Sequence, residues 1–209
     1  MTTGSLFIVS APSGAGKTSL VKALVSSTAG VQVCVSHTTR PPRSGEKEGV
    51  HYHFASRERF GEMVDGGDFL EYAQVFGNAY GTARSSVADI VERGDDAILE
   101  IDWQGARQVR SHAPDCSSIF ILPPSRDALE SRLNSRGQDS ETVVRRRMQD
   151  AESEMRHYDE FDYVVINDDF DTALEELRCL VRARRLALSA QQARARALIA
   201  SLLRPDDPD

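Results

Sequence analysis

The sequence predicts an α/β fold in which a parallel β-sheet core is flanked by helices and carries two inserted regions. Three observations predict it. Short apolar runs alternate with helical patterns, most of those runs stop at a polar residue or a proline, and the stretches 37–90 and 124–158 break the alternation. Apolar runs of this length suit strands buried on both faces, as in parallel sheets.

The first run, residues 6–9 (LFIV), ends in a Pro/Gly cluster and reads as a buried strand. Residues 31–36 alternate and are β-rich, and residues 97–102, 118–122 and 163–167 repeat the theme. Helices are expected over 19–27, 106–112, 127–135 and 141–158, and a long apolar periodicity with an Arg-rich opposite face runs over 172–203. Residues 37–90 hold aromatics, glycines and strand-like pieces such as 50–54, whereas 124–158 is almost wholly polar helix. Both read as insertions at the edge where strands end, which is where open α/β sheets bind ligands. The expected division is a core of 1–36, 84–123 and 159–209, an insertion of 37–83 and a lid of 124–158. The Pro/Asp-rich tail 204–209 is expected to fray.

With 209 residues, 40% of them hydrophobic, the chain suits one α/β unit with small insertions. A formal net charge of −7 argues against nucleic acid and anionic membrane as partners, so any phosphate ligand needs a local cluster of positive charge. Cys34, Cys116 and Cys179 are odd in number and widely spaced, which argues against disulfides or zinc and fits a reducing compartment. Residues 1–5 lack a basic segment or apolar run, and no stretch nears the ~20 apolar residues of a membrane span. The expected location is the cytoplasm.

Between the first strand and the first helix stand Ala11, Pro12, Ser13, Gly14, Ala15, Gly16, Lys17 and Thr18. A loop that wraps a phosphate chain needs glycines so that backbone N–H groups converge on the oxygens. It also needs one lysine for the β/γ-phosphates and one hydroxyl for Mg²⁺. Ala11 replaces the first glycine of the usual GxxxxGK[ST] pattern, but Gly14, Gly16, Lys17 and Thr18 are intact. The loop therefore points to a nucleoside triphosphate with Mg²⁺, and says nothing of the acceptor.

Further segments follow in order: SHTTRPPRSGE, HYHF, FLEYAQVFGNAYGT, ILEIDWQGARQVR, SIFILPPS, RLNSRGQDSE and VVINDDFDTAL. Together with GAGKT they resemble the guanylate kinases over nearly the whole chain to about residue 180. The resemblance implies a P-loop nucleoside monophosphate kinase with GMP-binding and lid insertions, transferring phosphate from ATP to GMP and dGMP with Mg²⁺. It sets Glu71 against the guanine base, with the hydroxyls of Ser36 and Thr82 nearby, and Arg40, Arg43, Tyr52 and Tyr80 on the GMP phosphate. Arg136 and Arg147 would close over the transferring group with Lys17 and Arg43, while Asn167 and Asp168 would lie beside the ATP adenine.

Elementary chemistry supports parts of that assignment. Guanine offers two adjacent donors, N1–H and N2–H₂, which match the two acceptors of a carboxylate, whereas adenine offers an acceptor beside a donor. Arginine forks suit a phosphate dianion, and phenol hydroxyls add donors without charge. Asp102 ends an apolar strand, where an acid can order Mg²⁺-bound water; the resemblance also sets it near GMP, and a helix-capping role is a third reading. Arg145 and Arg146 read as solvated helix face, Asp169 and Asp171 as a solvated acidic turn, and Trp103 as packing. His51 and His53 would share one strand face but lack a third metal ligand nearby. A kinase for another base, or a catalytically dead scaffold module, fits less well, given Glu71, the SHTTR segment and the intact loop.

Overall fold

The computed structural model describes residues 4–75, 77–134 and 141–204. In chain order the elements are β1 (Leu6–Ser10), α1 (Lys17–Ser27), β2 (Val31–Val33), β3 (His37–Thr38), β4 (His53–Phe54), α2 (Arg57–Asp65), β5 (Phe69–Val75), β6 (Asn78–Ala83) and α3 (Arg84–Glu92). Then come β7 (Asp96–Glu100), α4 (Trp103–His112), β8 (Ser117–Leu122), α5 (Arg126–Asn134), α6 (Glu141–Met155), a single 3₁₀ turn (Tyr158–Glu160), β9 (Tyr163–Ile166), α7 (Phe170–Leu186), α8 (Leu188–Arg194) and α9 (Arg196–Leu202).

The larger sheet is wholly parallel, in the order β2-β7-β1-β8-β9. Alternate side chains leave its two faces, so the three central strands β7, β1 and β8 feed two cores. Phe7, Val9, Ile119 and Ile121 pack on Leu20 and Leu24 of α1 and on Leu177 and Val181 of α7. Ile8, Leu99 and Phe120 pack on Val87 and Ile90 of α3 and on Ala106 and Val109 of α4. Each such buried side chain contributes ~2 kcal/mol, which is why apolar strands and amphipathic helices sort into these layers. Because β1 lies between β7 and β8, the loop after β1 opens at the point where strand order reverses, the usual ligand crevice of such sheets.

A second sheet, β4-β3-β6-β5, is antiparallel except for the β3–β4 pair. It encloses its own small core with α2, formed by Phe60, Met63, Phe69, Ala79 and Ala83. Helices α5 and α6 share another, formed by Leu129, Leu133, Met148 and Ala151.

Several sequence expectations are corrected in detail. The strand expected over 31–36 stops at Val33: the Cys34 N–H still donates to the Ile98 carbonyl, but the chain then leaves to begin β3 in the other sheet. Of 50–54 only His53–Phe54 is strand, because Gly49, at φ +71°, starts a turn in which Val50 N–H and His51 N–H both donate to the Lys47 carbonyl. His51 is consequently pinned in that turn, its Nδ1 accepting from Lys47 N–H at 3.1 Å, and does not share a strand face with His53. The periodicity over 172–203 resolves into three helices, with Ala187 extended at φ −55°, ψ 144°. Its apolar pattern outruns the core: Val181 is buried, whereas Leu186, Leu188, Leu198 and Leu202 are exposed. Asp169 proves to be a helix cap, accepting from Thr172 N–H at 2.8 Å. Residues 205–209 of the tail lie outside the described residues.

Candidate active site

The loop from Ala11 to Thr18 leaves β1 and runs into α1, with Gly14 at φ +91° and Gly16 at φ +95°. Both conformations suit glycine, and neither position has room for a side chain. A Cβ on Gly14 would meet Leu133 at 2.9 Å, and one on Gly16 would meet the Asn167 amide nitrogen at 2.4 Å. Asn167 is buried, 5% exposed, and donates its amide to the Ala15 carbonyl at 2.7 Å. It holds the loop from beneath, while Asp168, the next residue, is exposed.

Lys17 and Thr18 begin α1. The Lys17 ammonium donates to the Ile101 carbonyl at 3.4 Å, and the Thr18 hydroxyl donates to Glu100 Oε2 at 3.1 Å. Burial lowers the pKa of Lys17, opposed by the carboxylates of Glu100, Asp102 and Glu154. A hydroxyl and carboxylates in one corner form a hard, all-oxygen donor set, which fits Mg²⁺ shared with nucleotide phosphates. Among the described residues no group of three His, Cys, Asp or Glu forms a cage by itself, so a metal here would need further oxygens from phosphate or water. Asp102 caps α4, its Oδ1 accepting from Gly105 N–H at 2.8 Å.

Glu71, on β5, is 4% exposed and accepts from the Thr82 hydroxyl at 2.6 Å; Ser36 Oγ lies 3.2 Å from the same hydroxyl. Three residues from separate segments thus form one polar chain, set by the antiparallel pairing of Glu71 with Thr82. Burial lifts the Glu71 pKa to about 7, with Asp102 adding to the rise and the Thr82 hydrogen bond opposing it. The second carboxylate oxygen faces the start of α4, where a Cβ on Gly105 would stand 2.7 Å from it.

Arg40 pairs with Glu46 at 2.8 Å and lies 5.4 Å from the Tyr52 ring centre, and Tyr52 meets Tyr80 edge-on at 5.9 Å. Glu46 also accepts from the Arg43 backbone N–H at 2.7 Å, and its contact with Arg40 holds its carboxyl at about 2. The Arg43 side chain is exposed. Burial, then Tyr80, raises the Tyr52 phenol. From α6, Arg147 Nη2 lies 3.5 Å from Ser13 Oγ. Arg136 lies outside the described residues.

The structure therefore brings the loop, Asn167, Asp102 and Arg147 to one end of the parallel sheet, with Glu71 near enough to Asp102 to feel its charge. Sequence reasoning passed over Glu100, Glu46, Glu154 and Gly105. Glu100 was detectable as the polar end of a buried strand; the other three are marked only by their partners, which are Arg40 across a turn for Glu46, the Ser13 backbone for Glu154 and the Glu71 carboxylate for Gly105.

The guanylate kinase family model matches residues 3–184. The chain belongs to the guanylate kinase family. The guanylate kinase of Nitrosococcus oceani is 59% identical over 200 residues, 96% of this chain and 98% of that protein. The guanylate kinase of Vibrio cholerae is 55% identical over 202 residues, with the same coverage of 96% and 98%. Among solved structures, the guanylate kinase of Anaplasma phagocytophilum superposes with a TM-score of 0.78 at 31% identity, covering 99% of this chain and 98% of its own. The family fold is thus an α/β nucleotide kinase fold, as the sequence predicted.

Proposed function

We propose that the chain transfers the γ-phosphoryl group of ATP to GMP, and to dGMP, giving ADP and the guanosine diphosphate. The observation that carries this reading is the buried Glu71–Thr82 pair beside an intact phosphate loop. A carboxylate in a dry pocket accepts both N1–H and N2–H₂ of guanine, with Ser36 and Thr82 completing the base contacts. Arg40, Arg43, Tyr52 and Tyr80 hold the GMP phosphate, and Glu46 orders Arg40 for that task. The backbone from Ala11 to Gly16 wraps the ATP phosphates, with Lys17 reaching the β/γ oxygens.

Phosphoryl transfer needs alignment and charge neutralisation more than covalent chemistry. Lys17 and Arg43 meet the two polyanions from opposite sides, and Arg136 and Arg147 close from the lid. Thr18 would hold Mg²⁺ directly, with Glu100 and Asp102 acting through water; when bound, the metal neutralises charge between the β- and γ-phosphates. Asn167 supports the loop from the last strand, and Asp168 lies at the ATP side. Residues 37–83 act as the GMP-binding insertion, 124–158 as the lid, and the remainder as the core. Closure keeps water from the γ-phosphate. The reading places the enzyme in the cytoplasm, a reducing compartment that suits the free thiols of Cys34, Cys116 and Cys179. Among the described residues no helix is long and apolar enough to cross a membrane.

A coupled assay of ADP release against GMP, dGMP, AMP and dTMP tests the assignment. GMP and dGMP should be used, with AMP rejected by ~10⁴ or more in kcat/KM because it leaves buried polar groups unpaired. Comparable turnover of AMP would overturn it.

A further inference from the structure

The phosphate loop is contacted from the lid by an anion as well as by a cation. Arg147 and Glu154 are seven residues apart on α6, about two turns, and so share a face. That face meets Ser13, with Arg147 Nη2 at 3.5 Å from its hydroxyl oxygen and Glu154 Oε2 accepting its backbone N–H at 3.0 Å. Glu154 is half-buried. Burial raises its pKa, Asp102 and Asp150 add to the rise, and the Ser13 N–H and the Lys17 ammonium oppose it.

Loop N–H groups of this kind are the donors that phosphate oxygens take up, and Lys17 is the cation they approach. A carboxylate on one of those donors, feeling that same ammonium, sits where it is repelled by an incoming polyphosphate. We propose that Glu154 is a positioning residue for the transfer reaction: its carboxylate ties α6 to Ser13 and competes with the nucleotide's phosphates for the loop. Filling the loop then releases α6 from Ser13, so that Arg147 can move onto the phosphates as Glu154 withdraws. The lid thereby exchanges an anion for a cation at one point, and product release reverses the exchange. A plain structural tie between helix and loop makes the opposite prediction, since its loss loosens the loop and weakens binding.

The inference rests on the loop being the nucleotide's phosphate site, and the experiment separates the two. Inorganic tripolyphosphate, ATP and GMP are titrated calorimetrically into wild type, Glu154→Gln and Glu154→Asp, with thermal melts confirming folding. Gln keeps an acceptor for Ser13 N–H and removes the charge; Asp keeps the charge but draws it back from the loop. Removing one negative charge within a few ångströms of a polyanion should tighten tripolyphosphate and ATP at least threefold in the Gln variant, with GMP within twofold of wild type. KM for ATP should fall while kcat stays within threefold. Asp should tighten tripolyphosphate by less than Gln does. Tightening below threefold, weaker binding, or an equal change for GMP overturns the proposal. If the Gln variant fails to fold, the Asp variant decides alone, and tripolyphosphate binding no tighter than wild type overturns it. No tripolyphosphate binding by wild type would overturn the phosphate-site reading as well.

Discussion

Replacing Glu71 with Gln changes one atom, and should lower activity while making the fold more stable. Glu71 is 4% exposed, and its pKa rises from 4.5 to about 7 through burial. At ~1.4 kcal/mol per tenfold change in proton affinity, that rise corresponds to ~3 kcal/mol of destabilisation whenever the carboxylate is ionised. The sign follows from linkage. A carboxyl with a raised native pKa costs nothing below its unfolded value of 4.5, and its full cost is felt above about 7. Gln removes that cost and still accepts from Thr82, but burying an extra N–H₂ returns ~1 kcal/mol or more, leaving a gain of ~1–2 kcal/mol at pH 8. For a chain of this size the melting temperature should rise by roughly 3–6 °C. The gain should vanish near pH 5 and turn into a loss of up to ~1 kcal/mol below 4.5, where Glu71 is neutral and only the extra N–H₂ costs. GMP kcat/KM should fall at least ~10²-fold, since an acceptor becomes a donor facing a guanine donor, and AMP should hold or improve. Melts at pH 5 and pH 8 together with the coupled ADP assay check both limbs. A stability change independent of pH, or equal losses for GMP and AMP, would refute the reasoning.

Lys17→Ala should abolish transfer with the melt preserved, and more than about a tenth of wild-type kcat would contradict an electrostatic role. Arg147→Ala should lower kcat by ~10²-fold or more while GMP affinity, read by calorimetry, changes much less. Gly105→Ala would drive a methyl to 2.7 Å from Glu71 Oε2, so KM for GMP should rise about tenfold or more with kcat less affected. An unchanged KM there would mean that Glu71 has room to shift.

The five core strands were legible because most are short apolar runs with a polar or proline stop; β1, β7 and β8 carry that signature through burial on both faces, whereas β2 alternates and the edge strand β9 buries only Val165. Their ends were less legible: β2 is shortened by the departure of the chain into a second sheet, a tertiary event with no local sign. The helical pattern beyond Leu186 misled, since periodicity records a preferred face but not whether a core exists to receive it. In the candidate site, the Gly14–Thr18 stretch and the aromatic and arginine segments stood out by residue type and order. Glu46 and Glu154 did not, because what distinguishes each is a partner: Arg40 across a turn, and Ser13 from 141 residues away.

The amide of Asn167 reaches across 152 residues of chain to the Ala15 carbonyl, and β1 finds its two neighbours only in β7 and β8. Of the strands of this sheet, the first to be synthesised is therefore the middle one, and the loop it carries is braced only after β9 is made. At ~5–20 residues per second, roughly 8–30 s separate synthesis of the loop from synthesis of its brace. A nascent chain stalled before residue 163 would display the whole glycine-lysine motif, yet lack the clamp that sets its backbone. The loop's backbone is in this way left without its amide clamp until the last strand of the sheet has been made.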